Sequence, residues 1–192
     1  MFLMGCQRQP EILFENINVG DNIETCLAKG AIQYFYDDEY AFKLANDNIA
    51  TSYFHTNTVK FNEHKIVEKI YCLYYMKDDK NKSAAEVFSS MTQYFCQRYK
   101  GMKTEKVNEK RYDNNQIEYN FSATTNIWET NKIRVELMFY TQTIDSEVYN
   151  RYLQPYANEK PDWSGHSTIY WLAKSTLDNI VGKYVSLTIV SK

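Results

Sequence analysis

The chain has 192 residues, of which 44% are hydrophobic and 24% charged, with a formal net charge of −2. That length suits one globular domain, and that balance excludes wholesale disorder; three prolines and six glycines exclude collagen-like and low-complexity chains. A charge so close to zero gives no electrostatic reason to expect a nucleic-acid partner.

Residues 1–11 read as a tether and residues 12–192 as a single domain. Ile12–Val19 alternates as a short strand or extended lead-in, and Gly20 breaks it. Asp21 and Glu24 have the spacing of a capping box, which predicts a helix over 21–29 with Ile23, Cys26 and Leu27 on one face and Gly30 as its stop. Strands are expected at Ala31–Tyr36, Tyr40–Leu44, Ile49–His55 and Thr58–Phe61, with the acidic Asp37-Asp38-Glu39 as a turn. Ile66–Met76 alternates best: Ile66, Ile70, Cys72, Tyr74 and Met76 share one face, while Val67, Tyr71, Leu73 and Tyr75 are apolar on the other. This strand is expected to be central and covered on both sides.

Ser83 and Glu86 form a second capping box, and Val87, Phe88, Met91, Phe95 and Cys96 make one apolar stripe, so a helix is expected over 84–100. Met102–Arg111, rich in lysine and glutamate, reads as a linker. Gln116–Thr124, Ile127-Trp128 and Ile133–Tyr140 read as a meander with Ile133, Val135, Leu137 and Phe139 inward. Gln142–Gly165 has no clean periodicity, Ser167–Ile180 is ambiguous, and Tyr184–Val190 is a final strand. The order is a capped helix and then strands, twice over. The fold class is α+β: an antiparallel sheet of about six to eight strands with two main helices (21–29 and 84–100) packed on one face. Seventeen tyrosines also favour sheet, although the shared abundance of Lys, Asn, Ile, Tyr and Phe fits AT-rich coding as well.

No run approaches the length of a membrane-spanning helix. Cys6, Cys26, Cys72 and Cys96 have no zinc-like spacing; the last three sit among apolar residues and are expected to be buried thiols. Signatures of catalysis are absent: no GxSxG elbow, HExxH, P-loop or GxGxxG. His64 and Glu68 lie too far apart on a strand for shared proton work, and His55 with His64 reads as a solvated turn. Cys96 with His166 could pair nucleophile and base, but a buried thiol is inert. The Asp37–Glu39 cluster lacks calcium-loop spacing. No catalytic, cofactor or metal residue is therefore expected. One segment suggests binding: Tyr149, Tyr152, Tyr156, Trp163, Tyr170 and Trp171 concentrate in a stretch without clear periodicity. They would supply rigid contact area for a protein or glycan, or fold back onto an open sheet face.

Leu3-Met4-Gly5-Cys6 resembles a bacterial lipoprotein lipobox, with Met4 where Ala or Ser is usual. The resemblance implies a lipid on Cys6, attachment to the membrane only through that anchor, and a place in the cell envelope or periplasm. Too few residues precede Cys6 for a complete signal, so this reading expects a start upstream of Met1. The alternative is a cytoplasmic start with an incidental cysteine. Phe14, Ile17, Val19-Gly20, Leu27, Lys29-Gly30 and Tyr99-Lys100-Gly101 resemble small uncharacterised bacterial secreted or lipid-anchored proteins. Their element order is similar to the helix-plus-sheet units of β-lactamase-inhibitor-like and outer-membrane-assembly lipoproteins. That resemblance implies a binding or assembly role with no catalytic residues to carry over.

The expected function is thus a non-catalytic, lipid-anchored extracytoplasmic binding or assembly protein. The alternatives are a soluble immunity or inhibitor protein that occupies a toxin or enzyme, and an enzyme built around His166 or His55 with carboxylates.

Overall fold

A computed structural model describes residues 17–28, 32–36, 39–42, 54, 56–75, 83–155 and 168–192. The chain is α+β. Among the described residues the order is α1 (Ile23–Ala28), β1 (Ile32–Tyr36), β2 (Glu39–Phe42), β3 (Thr56–Phe61), β4 (Val67–Tyr75), α2 (Ala84–Arg98), β5 (Lys103–Tyr112), β6 (Glu118–Glu129), β7 (Ile133–Thr143), α3 (Ser146–Leu153), α4 (Thr168–Ile180) and β8 (Gly182–Ser191). The strands form one sheet, β1-β2-β3-β4-β8-β7-β6-β5, and every described neighbour pair is antiparallel. Two four-strand meanders meet at β4 and β8, each preceded by a helix. In the first, β3 turns tightly into β4 through Asn62–Ile66; in the second, α3 and α4 are inserted between β7 and β8.

Helix α2 begins where its capping box requires. The Ser83 hydroxyl accepts from the Glu86 N–H at 3.2 Å, and the Glu86 carboxylate accepts from the Ser83 N–H at 2.6 Å. Its buried stripe is Ala84, Val87, Met91 and Phe95, which lies on β7 and β8. Cys96 falls one residue past that stripe and is exposed, so the expectation of a buried thiol there is overturned. Cys26 and Cys72 are buried as expected.

Helix α1 starts later than residue 21. Asn22 is the capping residue, its side-chain oxygen accepting from the Glu24 N–H at 2.8 Å and its carbonyl from the Cys26 N–H at 3.1 Å. Asp21 instead accepts from the Asn18 N–H at 2.8 Å and closes the turn at Gly20, whose φ is +97°. Residues 29–31 and the predicted strand at Ile49–His55, apart from Phe54, lie outside the described residues.

Alternation along the central strands makes the core. Ile70, Cys72 and Tyr74 of β4, Val185, Leu187 and Ile189 of β8, and Val135 and Leu137 of β7 face α1 and α2, joined by Trp128 from β6. Val67, expected on the other face, is also buried because the pairing slips between Lys60 and Phe61, so that two residues, Glu68 and Lys69, rather than one lie between it and the next buried residue, Ile70. The Lys/Glu-rich segment read as a linker is strand β5, exposed at all ten positions. An edge strand wet on both faces needs no apolar alternation, so the pattern that betrays a strand is missing. Gln116–Thr124 and Ile127-Trp128 form one continuous strand, β6, and the unpatterned segment after Gln142 contains α3, capped by Asp145, which accepts from the Glu147 N–H at 2.8 Å.

Candidate binding surface

The second face of the sheet is the candidate site. Pairing across β4, β8, β7, β6 and β5 sets Tyr75, Tyr184, Tyr140, Ala123 and Val107 in one row. Beside it runs Leu73, Ser186, Met138, Thr125 and Glu105. Tyr71, Leu73, Tyr75, Met138, Tyr140 and Tyr184 are all partly exposed around a buried Ser186 and Ala123, whereas Ile70, Cys72, Tyr74, Leu137 and Val185 on the helix-covered face are buried. β4 is central, but the expectation that it is covered on both sides does not hold, since Tyr71, Leu73 and Tyr75 are partly exposed.

The rings of Tyr140 and Tyr184 stack at 4.9 Å with 13° between their planes, and Phe121 lies 5.6 Å from Tyr140. The Arg111 guanidinium sits 3.5 Å over the Phe121 ring and roofs that end of the row. Burial pushes the Tyr140 phenol up to about 12, with the hydroxyls of Tyr71, Tyr184 and Tyr119 adding to the shift; burial also raises Tyr184. These phenols stay neutral at physiological pH and present donors and acceptors rather than charge.

Tyr149 and Tyr152, predicted as binding residues, lie on α3 and pack with Leu153, Ala173, Leu177 and Ile180 over Ile117 and Tyr119. The Tyr149 hydroxyl donates to Asp178 Oδ1 at 3.5 Å, and Lys174 holds the other oxygen of that carboxylate at 2.5 Å. Tyr170 and Trp171 fall near the start of α4. Tyr156, Trp163 and Cys6 lie outside the described residues, as do His55, His166, Asp37 and Asp38. The second-face tyrosines carried a sequence signal, the apolar alternation of their strands, but nothing in it separates packing from contact.

His64 stands at the tip of the β3–β4 turn with its side chain 77% exposed, 3.5 Å from Glu63. Among the described residues, no three His, Cys, Asp or Glu side chains converge as metal ligands would. A cavity of about 350 Å³ opens between Asn18–Asp21 and the Lys132-Ile133 hairpin. Its floor of Ile70, Ile133 and Ile189 is only 1–9% exposed, so an occupant would gain little apolar contact there. No protein-family model matches the chain and no curated protein matches it.

Proposed function

We propose that this chain is a non-catalytic binding protein that seats a protein partner on the second face of its sheet, across β4, β8 and β7. The observation that carries the reading is the partly exposed row of Tyr75, Tyr184 and Tyr140 flanked by partly exposed Leu73 and Met138 in the next row. Aromatic and methionine side chains of this kind dominate protein interfaces. The stacking of Tyr140 on Tyr184 favours a protein over a glycan. Two rings lying face to face have each used one of the two faces on which a sugar would stack.

The lipobox-like Leu3–Cys6 supports a lipid anchor at the cell envelope for this binding protein. A soluble inhibitor of a toxin or enzyme would use the same face without the anchor. A photo-crosslinking amino acid placed at Leu73 or Met138 in living cells tests both parts. Discrete adducts from these two sites and none from Glu63 on the turn are expected; adducts from neither, or equally from all three, would remove the reading. In the same cells Cys6→Ala should move the chain from the membrane to the soluble fraction. Unchanged soluble behaviour of both forms would leave the inhibitor.

A further inference from the structure

We infer that the part of the helix-covered face that α2 leaves open, on β5, β6 and the adjoining ends of β7 and β8, binds an acidic polysaccharide, a glycan with carboxylates spaced along a hydroxyl-rich chain. Pairing sets Asn108, Ser122, Thr141 and Lys183 in one row there, flanked along the strands by Lys106 and Asn120. Five of the six are exposed and Thr141 is half-buried; none is acidic and none is apolar. The surface lies across the sheet from Tyr140 and Tyr184, so it stands apart from the proposed protein site.

Alternation along the strands sorts the charges between the two faces. Glu105 and Glu109 of β5, Glu129 of β6 and Glu136 of β7 all fall on the second face. Glu118 is the one glutamate of β5–β8 on the open side, and its carboxylate is already held by Lys110 at 2.6 Å and by the Tyr112 hydroxyl at 2.8 Å. Asp145, which also acts on the Lys110 ammonium, caps α3. Both acids thus sit at the Lys110 corner. The ammoniums of Lys106 and Lys183 have no ion pair among the described residues.

Lys106 and Lys183 stand three strand spacings apart and two residues out of line, so their Cα atoms are about 15 Å apart. A single small anion would have to draw both side chains together, whereas a chain with separated carboxylates meets each where it stands. Between them lie only hydroxyls and an amide. The Ser122 hydroxyl donates to Asn108 Oδ1 at 2.6 Å, which leaves the Asn108 Nδ2 protons for sugar oxygens. Two unpaired ammoniums are too few to hold a nucleic-acid backbone, and no apolar side chain among the six could enter a membrane.

The test is a titration of the full chain with oligogalacturonate, read from the side-chain amide NMR signals of Asn108 and Asn120. Maltodextrin and phosphatidylglycerol vesicles are the comparison probes. Oligogalacturonate should shift both signals, more weakly as salt rises, and Lys106→Gln together with Lys183→Gln should weaken binding by roughly tenfold or more. Lys103→Gln, on the other face of β5, should leave it unchanged. Unmoved signals, an equal response to maltodextrin, or undiminished binding by the double variant would overturn the inference. So would binding to the vesicles without binding to oligogalacturonate, which would make the surface a membrane contact.

Discussion

Tyr140 and Tyr184 lie ring on ring between β7 and β8, and that one contact constrains both chemistry and stability. The Tyr140 phenol ionises near 10 in an unfolded chain and at about 12 when folded, so the folded state keeps its proton longer. Its contribution to stability is full below pH 10, falls as the unfolded chain ionises first, and is gone once the pH passes about 12. Urea midpoints measured at about pH 9 and about pH 11 should drop more for the native chain than for Tyr140→Phe. Equal drops would mean that Tyr140 is not held in that environment. On the opposite face the buried Asn126 amide is paired through both its oxygen and its nitrogen: the exposed Thr104 hydroxyl donates to Asn126 Oδ1 at 2.8 Å, and Asn126 Nδ2 donates to half-buried Thr92 at 2.9 Å. It ties the edge strand, β6 and α2 together without leaving the buried amide unsatisfied. By contrast, Arg134 with Glu136 and Glu129 is more than a third exposed on its own side and contributes little net stability.

At the scale of elements, α2 rests on its cap as well as its stripe. Ser83→Ala removes the hydroxyl that accepts from Glu86 and should cost about 1 kcal/mol, seen as a lower urea midpoint with an unchanged slope. An unchanged midpoint would show that burial of Val87, Met91 and Phe95 holds the helix start by itself. α2 and β4 were legible in the sequence because capping and alternation are written locally. α3 was not, because it is eight residues long with only Leu153 buried, too little apolar stripe to show a period. β5 was not, because its charges serve an edge and carry no period. Cys96 shows how narrow the margin is: one residue beyond Phe95 turns a side chain from core to solvent. The aromatic concentration from Tyr149 onward was legible as composition. Its described members Tyr149 and Tyr152 nevertheless spend their surface on α4, a tertiary contact that no local pattern encodes.

The whole molecule is two helix-led meanders set back to back at β4 and β8, with the α3–α4 insertion in the second alone. Both leading helices serve the same face, so the larger core lies on that side, while α3 and α4 bury a smaller cluster over Ile117 at one end of the other. The other face keeps Tyr71, Leu73, Tyr75 and Met138 partly exposed, and this asymmetry is the basis of the proposed binding role. Methionine oxidation footprinting tests that role without knowledge of the partner. Met91 is 0% exposed and Met102 is 41% exposed, so they serve as buried and open references for Met138. In the purified chain, Met138 should oxidise far faster than Met91. In the cell it should become protected while Met102 stays open. Protection of Met138 in the purified chain, or the same Met138-to-Met102 ratio inside the cell and out, would contradict a partner on the second face.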